Sequence, residues 1–185
     1  EVLSAHAAFP LVRGVRQKPP AAQTPDQVVR GVPLSMDDPI WRDGYALLAR
    51  HDMSYDLQTP YWHLPEAAEL ARDFPATTII LDHTGLPVDR TTEGLSAWRR
   101  ALEEFAEASN TCLKISGLGI AARPWRVEEN RPIIEDAINI FGVDRCMFAS
   151  NFPVDGLVAD FDTIFDGFKE VVRDLPLRDR KKLFF

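Results

Sequence analysis

The stretch RCMFASNFPVD, residues 145–155, determines how the rest of this chain is interpreted. Residues 146–149 are apolar and few, which is typical of a strand that is covered on both faces. Ser150 and Asn151 follow where that strand ends, and Pro153 prevents further ladder pairing because it has no N–H to donate. The stretch therefore predicts a buried strand that presents polar side chains at its carboxyl end.

The same pattern, an apolar run that ends in polar residues, occurs elsewhere along the chain. The predicted strands are residues 11–16, 54–57, 77–82, 111–116 and 145–150. Apolar residues at helical spacing lie between and after them, and the predicted helices begin at Asp38-Pro39 and cover residues 65–73, 93–109, 131–141 and 161–172. The alternation of strand and helix predicts a parallel sheet, since each crossover returns the chain to the same end. Five such units fit either part of a (β/α)8 barrel or a doubly wound open sheet, and no nucleotide-binding glycine motif follows any strand.

Composition and charge exclude several classes of protein. The chain has 185 residues, of which 45% are hydrophobic, and a formal net charge of −7; this suits a single domain over residues 1–185 with a real core. The 21 basic residues are scattered, which argues against nucleic acid as a partner. No apolar run approaches ~18 residues, so we expect no membrane partner. Cys112 and Cys146 lie in apolar runs and are predicted to be core residues, in a reducing, cytoplasmic setting.

His83 is the strongest single candidate for chemistry. It follows an apolar run and precedes Thr84-Gly85, so it is predicted to emerge at a strand end. A histidine there can act as a base, donate a hydrogen bond or bind a metal. The alternative is a histidine whose hydrogen bonds are satisfied by the backbone of a tight turn.

Asn151 and Asp155 are the next candidates. The Asn151 amide is not a base near pH 7, but it can orient a water or a substrate carbonyl. Asp155 can be ionised and serve as a base or a ligand. The alternative for Asp155 is a structural turn residue before Gly156.

Two arginines occur in the first predicted strand. Arg13 and Arg16 lie three residues apart, so their side chains point to opposite sides, and Arg16 is nearer the strand end. An arginine there suits a carboxylate or ester oxygen through bidentate donation, and the alternative is a surface ion pair. We predict both as substrate-binding residues.

Three further polar residues are predicted to bind substrate from strand ends and nearby loops. Gln58 ends the second strand, His63 lies in an aromatic loop that can wall a pocket, and Ser116 ends the fourth strand. Lys114 lies inside that strand and is expected to face the helices through its aliphatic stem. The connection 18–32 is predicted to pass over the strand ends, as functional lids do.

Four motifs in this order resemble those of a known family. They are VRGVR (Val12–Arg16), LDHTGLP (Leu81–Pro87), LKISG (Leu113–Gly117) and MFASNFPV (Met147–Val154). Together they make the chain similar, from about Pro10 to Phe184, to the amidohydrolase-related proteins of the amidohydrolase 2 type. The branch that it resembles includes 2-pyrone-4,6-dicarboxylate lactonase and the fuconolactonases.

The resemblance implies a (β/α)8 TIM barrel of which this chain holds about five C-terminal units, strands four to eight. The N-terminal strands, with their H-x-H pair, are missing from this sequence. Because the first residue is Glu1 and the last ones are helical in pattern, we expect a fragment of a longer protein.

The resemblance also implies hydrolysis of a lactone or similar cyclic ester of a small compound, with carboxylated compounds among the candidates. Arg16 would hold a substrate oxygen, and His83, which matches the family's histidine after strand six, would polarise the carbonyl or assist proton transfer. Asn151 stands where the family has an aspartate that takes a proton from water, so it would orient the water, with Asp155 as a substitute base. The resemblance also implies that lactonases of this branch can work without a metal. No metal ligand is expected in this chain, because two of the family's usual ligands are missing from it, although the full-length protein can hold a single divalent ion.

Two rival functions remain at this stage. The same barrel can carry a metal-dependent decarboxylase or C–N hydrolase. The chain can also be a truncated, non-catalytic fragment, which would act through its exposed barrel edge; that edge is also where we expect any oligomer to form.

Overall fold

Five parallel strands form one sheet. The structure is a computed structural model that describes residues 1–184. The strands are β1 (Gly14–Gln17), β2 (Ser54–Leu57), β3 (Ile79–Leu81), β4 (Thr111–Ile115) and β5 (Cys146–Phe148). They lie in the order β1-β2-β3-β4-β5. A doubly wound sheet reverses its strand order at a switch point, so this sequential order favours the barrel arrangement over the open sheet.

Each strand is followed by a helix, as the sequence predicts. The helices are α1 (Val2–Ala7), α2 (Pro39–Tyr45), α3 (Leu64–Asp73), α4 (Thr92–Ala106), α5 (Val127–Phe141), α6 (Phe161–Val171) and α7 (Leu177–Phe184). Asp38 caps α2, because its carboxylate accepts a hydrogen bond from the Ile40 N–H at 2.9 Å. None of these helices, over the part of the chain described, is long and apolar enough to cross a bilayer.

The two faces of the sheet differ in burial. One face packs on the helices, and its side chains are almost fully inaccessible, as in Leu57, Leu81 and Leu113. The opposite face carries residues of intermediate burial at the alternate positions of the strands. In a barrel this second face points to the interior, and we call it the inner face.

The observed elements are shorter or longer than the predicted ones at their ends. β1 begins at Gly14 rather than at residue 11, since Leu11 is exposed and lies outside the sheet. α5 begins at Val127 rather than at residue 131 and includes Pro132 near its amino end. A proline there removes one helical hydrogen bond without ending the helix.

Candidate active site

Four charged side chains meet on the inner face near the carboxyl ends of the strands. They are Arg16 of β1, Asp56 of β2, Asp82 directly after β3 and Lys114 of β4, and we call them the charge quartet. Arg16 contacts Asp56 Oδ2 through Nη2 and Asp82 Oδ2 through Nε, both at 3.1 Å. Lys114 Nζ lies 2.5 Å from Asp56 Oδ2 and 3.3 Å from Asp82 Oδ1. Each cation therefore bridges both carboxylates.

The strand register explains why these residues meet. Arg16 lies directly opposite Asp56 in the parallel pair β1–β2, and paired residues of neighbouring strands point to the same face. Lys114 alternates with Leu113 and Ile115, which are fully buried against the helices. The prediction that Lys114 faces the helices is therefore wrong, because the strand alternation turns its side chain to the inner face.

Two members of the charge quartet were missed as candidates in the sequence. Asp56 stands between the buried residues Tyr55 and Leu57 of β2, and Asp82 stands between Leu81 and His83. An acid inside a strand is unusual and points to a partner cation, which was the available signal. Asp82 is inaccessible, and its Oδ2 receives no hydrogen bond from the described residues. The ion pair with Arg16 Nε compensates for the burial of this charged oxygen.

His83 is held in a tight turn that is bonded to the end of β4. His83 and Thr84 both adopt positive φ, 54° and 56°, a conformation that is uncommon for residues other than glycine and costs free energy. Thr84 Oγ1 donates to the Ser116 carbonyl at 2.9 Å and accepts from the Ser116 N–H at 3.2 Å. The Trp98 indole N–H donates to the Thr84 carbonyl at 2.8 Å. These bonds fix the position of the His83 ring.

The His83 ring has one engaged nitrogen. Nδ1 lies 3.0 Å from Ser116 Oγ, which can donate to it or accept from it. Gly117 allows this approach, since its φ is +64° and a Cβ there would lie 2.6 Å from the His83 Cβ. Nε2 makes no hydrogen bond within the described residues and is the nitrogen left for a substrate.

Burial sets the protonation of His83. It lowers the pKa of the imidazole, and Arg16 and Lys114 act in the same direction, while Asp82 and Asp155 partly oppose them. The ring is therefore neutral at neutral pH and can either donate from one nitrogen or accept a proton at the other.

Asn151 and Asp155 form a second polar pair after β5. Asn151 Nδ2 donates to Asp155 Oδ1 at 2.9 Å, and the Asp155 N–H donates to the Asn151 carbonyl at 3.1 Å. Asp155 is buried, and this raises the pKa of its carboxyl, although the Asn151 amide, the protonated form of His83 and the Gly119 N–H partly offset the rise. Asp155 is therefore a buried carboxylate coupled electrostatically to His83.

Two predicted substrate-binding residues lie apart from this cluster. The Arg13 guanidinium donates to the carbonyls of Pro10 and Val12 before the amino end of β1, the opposite end of the strand from His83. His63 is buried, and both of its ring nitrogens are engaged: Nε2 accepts from the Ala22 N–H at 2.9 Å, and Nδ1 lies 3.2 Å from both oxygens of Glu66.

His63 attaches the connection 18–32 to the amino end of α3. The neighbouring Trp62 indole N–H donates to the Ala22 carbonyl at 3.0 Å, so both backbone groups of Ala22 are held. Gln58 follows β2 at the same edge as His83, and its N–H donates to the Gln17 carbonyl at 3.4 Å. Of the predicted site residues, the structure thus gathers Arg16, Ser116, His83, Asn151 and Asp155, with Gln58 at the same edge.

Residues 1–184 contain no group of three or more His, Cys, Asp or Glu side chains arranged to hold a metal ion. His83 is in electrostatic contact with two carboxylates, Asp82 and Asp155. Asp82 is engaged in ion pairs with Arg16 and Lys114, and Asp155 accepts a hydrogen bond from Asn151. Within residues 1–184 these side chains are therefore not arranged as a metal site.

Comparison with known sequences gives consistent matches. A family model described as amidohydrolase matches residues 6–184. The uncharacterized protein y4mH of Sinorhizobium fredii is 42% identical over 184 residues, which cover 100% of this chain and 62% of that protein. An L-fucono-1,5-lactonase of Burkholderia multivorans is 33% identical over 139 residues, 70% of this chain and 47% of that protein. The chain thus spans less than two thirds of the length of either relative.

Comparison with solved structures gives the same fold. An amidohydrolase from Burkholderia multivorans with bound zinc superposes with a TM-score of 0.81 at 26% identity, over 98% of this chain and 66% of that one. The predicted fold class is confirmed: the five βα units are arranged as part of a (β/α)8 barrel.

Proposed function

The chain belongs to the amidohydrolase family, and from that premise we propose that the whole protein hydrolyses a lactone or similar cyclic ester of a small compound. The observation that carries the proposal is the convergence of His83, Ser116, Asn151 and Asp155 at the sheet edge that holds Arg16. The relative named as a lactonase supports the same reaction class. Ester hydrolysis requires a polarised carbonyl, a positioned water and a group that takes up its proton.

Arg16 is proposed to hold a substrate oxygen. Its side chain is 49% exposed, while two carboxylates fix the guanidinium from the protein side. A guanidinium presents several donors in a rigid plane, which suits an ester or carbonyl oxygen. Ser116 and Gln58 are proposed to contribute further substrate contacts from the same edge.

His83 is proposed to act on the carbonyl through Nε2. If Ser116 Oγ donates to Nδ1, Nε2 carries the proton and polarises the carbonyl. If Nδ1 donates to Ser116 Oγ, Nε2 is free to accept a proton. The lowered pKa keeps the ring neutral, which both roles require.

Asn151 and Asp155 are proposed to handle the attacking water. Asn151 gives its N–H to Asp155, so its amide oxygen is left to accept a hydrogen bond from the water. The raised pKa of Asp155 brings this carboxylate closer to the working pH and makes it a better base. The water oxygen bonds to the carbonyl carbon as its proton passes to Asp155. The ring C–O bond then breaks, and the proton ends on the ring oxygen, which leaves as a hydroxyl.

A second candidate function is a decarboxylase or C–N hydrolase that uses one divalent metal. The zinc named for the solved amidohydrolase is the observation that favours it. Because the side chains of residues 1–184 are not arranged as a metal site, we derive no step through a metal. Metal analysis of the purified whole protein, followed by chelation and re-addition of zinc during assays, distinguishes this candidate from the lactonase.

We further propose that the protein works in the cytoplasm as a single-domain enzyme on a small molecule. The outer strands β1 and β5 are the proposed route for any self-association. Sedimentation of the purified protein measures that association.

The test is the activity of the whole protein against a panel of 1,5- and 1,4-lactones, with and without one substitution. Asp155→Asn is expected to lower kcat/KM by about 10²-fold or more, because the amide cannot accept the proton. The matched control is Asp162→Asn on the exposed side of α6, which is expected to leave activity within about twofold. A wild-type protein that hydrolyses no lactone, or an Asp155→Asn variant as active as the control, contradicts the proposal.

A further inference from the structure

A cavity of about 310 Å³ lies between the amino-terminal turns of α4 and α5. It is formed by the third and fourth of the five βα units, and its two helices pack against α3 and α6 of this same chain. The remaining units of the barrel adjoin β1 and β5, which are the outer strands of the sheet. The cavity therefore lies away from both edges at which this chain meets the rest of the barrel. Its described lining includes no residue that we propose to act on the lactone.

Arg90 lines this cavity and is half-buried without an ionic partner. It forms no ion pair within residues 1–184, and its one hydrogen bond there runs from Nη2 to the Leu118 carbonyl at 3.3 Å. Its Nε is inaccessible and makes no hydrogen bond among the same residues. Burial lowers the pKa of the guanidinium, and Glu129 partly offsets this, but an arginine stays charged in proteins. A charge that is taken out of water without a partner costs free energy.

A second half-buried arginine shows the bonding that a structural role provides. Arg145 donates to the carbonyls of Phe141, Ala106 and Ala108 at 3.1, 2.9 and 3.2 Å, at the carboxyl ends of α5 and α4. The chain thus supplies acceptors for several of its N–H groups. Arg90 has a single carbonyl, and its Nη1 makes no hydrogen bond within residues 1–184 and is not among the inaccessible polar atoms. Arg90 therefore keeps N–H donors for a ligand in the cavity.

The rest of the cavity suits a small molecule with one negative charge and an apolar part. Its apolar wall consists of Leu95, Ile120 and Ile133. Two exposed side chains of opposite charge, Arg123 and Glu129, also line it, so Arg90 supplies the net positive charge. The amino end of α5 has no side-chain cap, and the N–H groups of its first turn add positive potential. The volume is near the lower end of the range for small-molecule sites.

We propose that this cavity binds a small organic carboxylate, whose two oxygens accept hydrogen bonds from Nη1 and Nη2 of Arg90 and whose apolar part packs on Leu95 and Ile133. A carboxylate matches the planar guanidinium in shape and neutralises its charge. A phosphate dianion fits less well, because its second charge meets Glu129 and no second buried cation. The inference concerns a site separate from the proposed hydrolysis and does not rest on it.

The experiment is a calorimetric titration of the whole protein with benzoate and with benzamide, which share a ring and differ in the carboxylate. Benzoate is expected to bind with a Kd of about 1 mM or tighter, and benzamide at least about tenfold more weakly. Arg90→Gln is expected to weaken benzoate binding by about tenfold or more. The matched control is Arg100→Gln on the exposed side of α4, where Arg100 bonds Ser96. It removes the same charge and is expected to leave the Kd within about twofold.

The inference is overturned if benzoate binds no more tightly than benzamide, or if Arg90→Gln changes the Kd no more than Arg100→Gln does. Inorganic phosphate that binds more tightly than benzoate, and loses this binding in Arg90→Gln, overturns the ligand class. If a thermal melt shows that Arg90→Gln does not fold, Arg90→Lys decides. Lysine keeps the charge without the planar pair of donors, so the Kd is expected to rise by about threefold or more, and an unchanged Kd contradicts the proposal. The titration uses no lactone, so its failure and a failure of the proposed hydrolysis are distinguishable.

Discussion

The turn after β2 and the turn after β3 each bury a histidine, but only one of the two leaves a ring nitrogen free. His63 and His83 both follow a parallel strand and both lie in short 3-10 turns. The His63 ring is bonded at both nitrogens, to Ala22 and to Glu66. The His83 ring is bonded at Nδ1 alone. A strand-end position and burial do not distinguish the two histidines, and the unengaged nitrogen beside other polar groups is the reason that His83 is the one proposed to be catalytic.

The backbone of the two turns supports the same distinction. His83 and its neighbour Thr84 adopt positive φ, whereas no residue of the His63 turn, Tyr61–His63, does so. Non-glycine residues in this conformation occur often at functional sites, where surrounding bonds hold them in place. Here the holding bonds come from Ser116 and Trp98.

The largest expected effect is the difference in activity between two histidine variants. His83→Ala is expected to lower kcat/KM for the best lactone by about 10²- to 10⁴-fold, because a positioned acid–base group is removed. His63→Ala is expected to lower it far less, since no His63 nitrogen is free for the substrate. Steady-state kinetics on the folded fraction of each variant measures this. Equal losses in the two variants would contradict the distinction between the turns.

The second expected effect concerns stability, and here the histidine that matters is His63. His63→Ala leaves the partly buried Ala22 N–H without its acceptor and leaves the buried Glu66 carboxylate with Arg30 Nε, 3.8 Å away, as its remaining partner. A buried polar group that loses its hydrogen bond costs about 1–3 kcal/mol. We expect the free energy of unfolding to fall by about 2–4 kcal/mol in urea denaturation. His6→Ala, at an exposed histidine of α1, is the control and should stay within about 0.5 kcal/mol of the wild type. A His63→Ala variant as stable as His6→Ala would show that His63 does not hold the connection 18–32.

The smallest effect is a pH dependence of stability that belongs to His83. Burial lowers the pKa of His83 below 6.5, so as pH falls through about 6.5 the unfolded chain takes up a proton that the folded chain does not. Stability is then lost on acidification. Between about pH 7.5 and about pH 5.5, the wild type is expected to lose up to about 1 kcal/mol more than His83→Gln.

Urea denaturation at each pH measures this difference. Asp155 has the opposite effect on stability. Its pKa is raised in the folded chain, so as pH falls the folded chain takes up this proton at a higher pH than the unfolded chain does, which favours folding. Asp155 is present in both proteins, so its contribution largely cancels in the comparison. Parallel pH curves for the wild type and His83→Gln would contradict the assignment of a buried, neutral His83.

The sequence alone determined the succession of elements and several of the residues that meet at the carboxyl ends of the strands. Strand and helix periods, the Asp38-Pro39 helix start and the polar residues that end each apolar run are local signals, and the structure reproduces the order that they predict. His83 and Asn151 were identified because each follows a short apolar run with one polar residue between, Asp82 and Ser150 respectively. These features depend on residues a few positions apart, which is the range over which backbone propensity and side-chain alternation act.

Only the tertiary structure decided which charges pair and which histidine is free. The ion pairs of the charge quartet join residues 32 to 66 positions apart in the chain, and their geometry depends on the register between strands. Lys114 turned to the inner face because Leu113 and Ile115 occupy the helix-facing side. His63 is engaged because the connection 18–32 folds back onto it. Long-range packing sets these contacts, so no local pattern in the sequence could specify them.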